Sequence, residues 1–135
     1  MCSVAFQPTS DGYALGMNRD EAKTRAQATP PQTFLRNGIR RLQPIDPAGG
    51  TWISVNENGL TALLLNWYPK ARIRAGESRI SRGLIVDGVV SSENLRAARE
   101  QVTQWPLNAF PAFRLLLFEH TRCEIHEHRW DQERL

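Results

Sequence analysis

Thr51-Trp52-Ile53-Ser54-Val55-Asn56-Glu57-Asn58-Gly59-Leu60-Thr61-Ala62-Leu63-Leu64-Leu65-Asn66 reads as a β-hairpin around which the rest of the chain can be arranged. Its Asn58-Gly59 pair is the strongest short hairpin signal, because a tight two-residue turn needs residues that tolerate positive φ. Thr51 to Asn56 then reads as one strand and Leu60 to Trp67 as its return. Centring the turn on that pair sets Trp52 opposite Leu65 and brings Asn66 near Thr51. Thr61 to Leu65 is apolar on both faces, as a strand covered on both sides would be. Asn66 closes that buried strand with a polar side chain, and such a group needs partners or a chemical task.

Towards the N-terminus a second hairpin is legible. Cys2 to Gln7 reads as a strand, Pro8-Thr9-Ser10-Asp11-Gly12 as a turn, and Tyr13 to Asn18 as an alternating partner with Tyr13, Leu15 and Met17 on one face. A turn near Ser10-Asp11 pairs Val4 with Met17 and sets Cys2 opposite Arg19. Residues 22 to 48, with Pro30-Pro31, Asn37-Gly38, Pro44 and Pro47, show no clean period and read as a long irregular connection. Beyond the central hairpin, Tyr68 to Ser81 is basic and irregular. Leu84 to Val90 fits a short helix or a buried strand. Ser91-Ser92-Glu93 offers a helix start, and Leu95, Ala98, Val102 and Trp105 form an apolar stripe ending at Pro106. Phe113 to Glu119, a turn at His120-Thr121-Arg122, and Cys123 to Trp130 make a final hairpin. Hairpins around a helical segment predict an α+β fold with antiparallel pairing.

At 135 residues, 41% hydrophobic and 23% charged, the chain has the size and balance of one globular domain, residues 1–135. Two cysteines make no disulfide framework. The first residues lack a secretory pattern and no apolar run of about 18 residues occurs, so the expectation is a cytoplasmic protein without a membrane span. The net charge is only +3. Arg72, Arg74, Arg79 and Arg82 lie near Trp67 and Tyr68, but no nucleic-acid motif accompanies them, so no nucleic-acid partner is expected. His126 and His128 alternate onto one face near His120 and Cys123. No recognised ligand spacing is complete, so neither metal nor cofactor is expected, and a charge-blunted edge strand explains them.

The chemistry concentrates in short blocks. Cys2 follows an initiator methionine that a small second residue allows to be trimmed. The mature chain would then carry a thiol and a free α-amine on one residue, a nucleophile with its own base. Met17-Asn18-Arg19-Asp20-Glu21, Gly49-Gly50-Thr51-Trp52 and Ser81-Arg82-Gly83 complete the set. Together these blocks resemble the NRDE family, whose eukaryotic members are called the transport and Golgi organisation 2 proteins. The resemblance is strongest over residues 1–90, and the C-terminal part of the usual family domain has no counterpart. The chain would then be a fragment, a compact variant, or a protein completed by a second copy.

That family is itself similar to the N-terminal nucleophile hydrolases of the choloylglycine hydrolase and penicillin V acylase type. The resemblance implies an αββα sandwich, incomplete at this length, with the nucleophile on the first strand. It implies catalytic roles for four residues: Cys2 attacks an amide or ester of a small molecule, Arg19 favours its thiolate, Asp20 orients the amine, and Asn66 donates to the oxyanion. Asn18, Trp52 and Arg82 would support the substrate. The reaction requires Met1 to be removed. The competing reading is non-catalytic binding or trafficking of a small hydrophobic, haem-like ligand, for which no Cys-Pro or Cys-x-x-Cys-His pattern is present.

Overall fold

The order of elements is β1 (Ser3–Thr9), β2 (Gly12–Asn18), β3 (Thr29–Arg36), β4 (Ile39–Ile45), β5 (Ile53–Asn56), β6 (Leu60–Asn66), α1 (Gly83–Val89), α2 (Leu95–Gln104), a short 3-10 turn at Leu107–Ala109, β7 (Phe113–Glu119) and β8 (Glu124–Trp130). This computed structural model describes residues 2–68 and 80–135. Strands β3 to β8 form one six-stranded antiparallel sheet in chain order, and β1 pairs with β2 as a separate two-stranded ribbon. The chain is therefore a mixed α+β fold with antiparallel sheets, as its patterning predicts.

Strand β6 organises the layers. Leu60, Ala62 and Leu64 share a face with Phe113, Leu115 and Leu117 of β7, and all six are buried. Against them pack Ile85, Val86 and Val89 of α1 and Leu95, Ala98 and Val102 of α2. Each such large side chain contributes about 1.5–3 kcal/mol by leaving water. Gly88 is what lets Trp105 close over α1, since a Cβ there would lie 2.4 Å from the indole. On the opposite face the ribbon lies over the sheet. Phe6 stacks on Phe118 at 5.4 Å between ring centres, Tyr13 packs beside both, and the Tyr13 hydroxyl donates to Thr61 Oγ1 at 2.8 Å. The described residues thus make three layers: helices, sheet and ribbon.

Where the sequence reading departs from this architecture, the causes are local. The β1–β2 register sets Val4 opposite Met17, as expected. The central hairpin is shifted by one residue: Ile53 faces Leu63 and the Trp52 carbonyl accepts from the Leu64 amide. Asn58-Gly59 does not form a two-residue loop. Instead Gly59 N–H donates to the Asn56 carbonyl, Gly59 takes φ +81°, and the Asn56 side chain accepts from the amides of Asn58 and Leu60. Asn56 also donates to the carbonyls of Val90 and Ser92, both at 2.9 Å, locking this turn onto the α1–α2 connection.

The supposed irregular stretch 22–48 contains a fourth hairpin. Asn37 and Gly38 both have positive φ, as a primed two-residue turn demands. Pro30 and Pro31 are tolerated because β3 is an edge strand, with a register shift between Thr29 and Gln32 beside them, while Pro44 lies past Arg41 and Leu42, the residues of β4 that pair with β5. Leu84 to Val90 resolves as helix, and α2 is capped by Asn94, whose side chain accepts from the Ala97 amide, rather than by Ser91 or Ser92. The basic stretch Tyr68 to Ser81 falls mostly on residues 69–79, outside the described residues, and takes Arg72, Arg74 and Arg79 with it.

Candidate functional site

Cross-strand partners share a face. Val4, Phe6, Leu15 and Met17 are partly buried beneath the ribbon, while Ser3, Ala5, Gly16 and Asn18 are exposed above it. Continuing the register by one residue sets Cys2 across from Arg19, both on the covered face and both partly buried. Asn18, pointing to the other face, does not share it. Cys2, Met17 and Arg19 line a pocket of about 260 Å³ together with Thr51, Trp52, Asn66 and Arg82. Five of the seven residues singled out from the sequence thus meet at one pocket. Asn18 and Asp20 are exposed and outside its lining.

Three glycines shape the wall. Gly49 and Gly50 both have positive φ. A Cβ on Gly50 would sit 2.6 Å from the Gly83 carbonyl carbon, and a Cβ on Gly83 would sit 2.9 Å from the Thr51 carbonyl oxygen. The Gly-Gly-Thr-Trp and Ser-Arg-Gly blocks therefore meet backbone to backbone, and the Thr51 amide donates to the Gly83 carbonyl at 3.2 Å. This contact brings Arg82, just before α1, to the pocket, where its Nη1 donates to the Ala112 carbonyl at 2.8 Å. Asn66, exposed at the end of β6, donates to the Tyr68 hydroxyl at 3.3 Å.

The charged centre of the pocket was not foreseen. Asp46, only 6% exposed, accepts from Arg19 Nη2 at 2.5 Å and from Arg25 Nη2 at 2.9 and 3.0 Å. Glu21 adds a contact of 2.8 Å to Arg19 and one of 3.4 Å to Arg25. Burial opposes ionisation of Asp46, but the Ala48 amide, Arg25 and Arg19 together outweigh it and hold the carboxyl below its ordinary value. The Asp46 hydrogen bond in turn raises the Arg25 guanidinium. Arg19 also lies over the Trp52 ring, 4.1 Å from its centre, within cation–π range. Two arginines and two carboxylates sum to zero charge, so Arg19 is not a bare cation beside the thiol. Nothing in the local sequence signals Asp46. It arrives through the β3–β4 hairpin, and only Asp-Pro-x-Gly as a turn sequence hints at its geometry.

The histidines go elsewhere. His126 and His128 pair with Leu117 and Leu115 and share their helix-facing side, whereas His120 caps the turn beside Gly12 and Gly59. Among the described residues no three His, Cys, Asp or Glu side chains gather as a metal site. Nor is any described helix long and apolar enough to cross a membrane.

No curated protein matches this chain. A family model, Transport and Golgi organisation 2, matches residues 1–133, well past the region where the sequence motifs are densest. With the match running along almost the whole length, the chain belongs to the Transport and Golgi organisation 2 family.

Proposed function

We propose that the pocket at the ribbon end is the site of an N-terminal cysteine nucleophile hydrolase acting on an amide or ester of a small molecule. The observation that carries this reading is the gathering of Cys2, Arg19, Trp52, Asn66 and Arg82 around one cavity, on residues separated by up to 80 positions. Once Met1 is removed, the α-amine of Cys2 accepts the thiol proton, and an ordinary α-amine titrates near pH 7.7–8.0, roughly where such a base is effective. The thiolate attacks the carbonyl carbon, a C–S bond forms, and the C–N or C–O bond breaks as the proton passes to the leaving group. Water then hydrolyses the thioester and restores the thiol. Asn66 exchanges its long bond to Tyr68 for the developing oxyanion, Trp52 and Arg82 flank the substrate, and Asp20, exposed outside the pocket lining and next in sequence to Arg19, holds the amine from the rim. Asn18, exposed on the outer face of the ribbon, takes no part in holding the substrate in this reading.

The three layers fit the αββ portion of the hydrolase sandwich. The outer face of the ribbon is lined by small exposed residues, Ala5, Ala14 and Gly16, where a further helical layer or a second copy would rest. One observation favours the hydrophobic-ligand reading: an apolar cleft of about 280 Å³ between ribbon and sheet, lined by Leu15, Pro31, Leu42, Pro44, Ile53 and Val55. Its lining offers no histidine, cysteine or methionine as an axial ligand for haem, so the nucleophile reading is the stronger.

The test is turnover of an acyl-amide and acyl-ester library by wild type and Cys2→Ala. Hydrolysis that disappears in Cys2→Ala supports the proposal. Equal turnover by both proteins, or none from either across the library, overturns it.

A further inference from the structure

We propose that Asp46 is the positioning residue of this pocket, its buried carboxylate fixing the Arg19 guanidinium over the Trp52 ring and beside Cys2. The catalytic meaning of this assignment rests on the nucleophile reading of Cys2, whereas its geometric content stands alone.

Arg19 has a long, flexible side chain, and something must choose its direction. Two carboxylates reach it, but they differ in kind. Glu21 is exposed and two residues away on an irregular segment, where an ion pair in water holds geometry weakly. Asp46 is buried and fixed on every side. Its amide donates to the Gly50 carbonyl at 3.0 Å, its carbonyl accepts from Gly49 at 2.8 Å, and its Oδ1 accepts from the Ala48 amide at 2.9 Å. The turn bearing it is wedged by Gly50 against Gly83. A rigid carboxylate at 2.5 Å on one side and an indole face at 4.1 Å on the other leave Arg19 one orientation. Arg25 completes the arrangement, tying the 19–25 segment down to the same carboxylate. A purely structural Asp46 would need only the Ala48 bond, which an asparagine can also accept. The Arg19 contact needs the charge.

Asp46→Asn therefore separates the two roles. In two-dimensional NMR the Arg19 side-chain Nε–H signal, assigned by its loss in Arg19→Lys, should be displaced by the Trp52 ring current and should revert in Trp52→Leu. Asp46→Asn is expected to return that signal to the position of a free arginine, Asp46→Glu to recover part of the displacement, and Glu21→Gln to leave it in place. With p-nitrophenyl acetate as the acyl probe in a Cys123→Ser background, release of p-nitrophenolate should fall about 10²-fold in Asp46→Asn, the cost of a misplaced catalytic group. A displaced Arg19 signal retained in Asp46→Asn overturns the assignment. If Asp46→Asn does not fold, Glu21→Gln decides: retention of the signal supports Asp46, and its collapse overturns it. Equal p-nitrophenolate release by Cys2→Ala and wild type would sink the nucleophile reading and leave the NMR result standing.

Discussion

Replacing Gly50 by alanine tests whether the pocket wall depends on direct backbone contact. The added Cβ would lie 2.6 Å from the Gly83 carbonyl carbon, 2.9 Å from its oxygen and 2.9 Å from the Leu84 amide nitrogen. None of these atoms belongs to a flexible side chain, so a backbone must move, and overpacking of this kind costs about 1–3 kcal/mol. The φ of +75° adds about 1 kcal/mol for a residue with a Cβ. Gly49 has φ +82° but open space around its Cβ position, so Gly49→Ala carries the conformational cost alone. At about 2.1 cal/mol/K per residue, a chain of 135 residues unfolds with an entropy near 0.28 kcal/mol/K, so about 3 kcal/mol corresponds to a Tm loss of roughly 10 °C. Scanning calorimetry should thus show Gly50→Ala about 10 °C below wild type and Gly49→Ala only about 4 °C below it. Equal losses for the two variants would refute the backbone-contact argument.

Other consequences are open to similar tests. Asn56→Ala leaves two carbonyls and two amides without their partner and should cost about 3–4 kcal/mol, read as a shift of the urea midpoint at unchanged m-value. Burial lowers the His128 imidazole, with Arg99 and His126 adding to the effect. The unfolded chain therefore binds the proton more readily, and stability falls as pH drops below about 6.5. His128→Leu should remove that slope, and an unchanged slope would contradict the assignment. Asp46, held below its ordinary value, contributes stability that is present above about pH 4 and lost as pH falls through its folded value. Denaturant titrations from pH 5 to 2 should therefore show a shallower acid loss in Asp46→Asn than in wild type.

What could be read from sequence depended on whether a side chain in the turn competes for the backbone groups that set its register. In the β1–β2 turn the side-chain bonds run only among Thr9, Ser10 and Asp11, so its register followed from Ser10-Asp11 by counting, and with it the placement of Cys2 across from Arg19. The central turn is closed by the Asn56 side chain, whose two accepted hydrogen bonds move Gly59 out of the loop centre and slip the register by one. Pattern reading cannot weigh that competition. The β3–β4 hairpin was hidden by prolines that an edge strand tolerates, and with it went Asp46, the carboxylate that anchors the site. The family blocks marked the pocket wall together with Arg19 and Glu21, but not Asp46 or Arg25. Glycines advertise themselves by type, whereas a buried aspartate is recognised only by what folds around it.

The proposed role of Cys2, as nucleophile at the start of the mature chain, is open to intact-mass and peptide-mapping spectrometry of the protein after brief exposure to p-nitrophenyl acetate. The expected product is a chain lacking Met1 that carries a single acetyl group on Cys2 and none on Cys123, although Cys123 is the more exposed thiol. A chain that keeps Met1, or acetylation favouring Cys123, would contradict it.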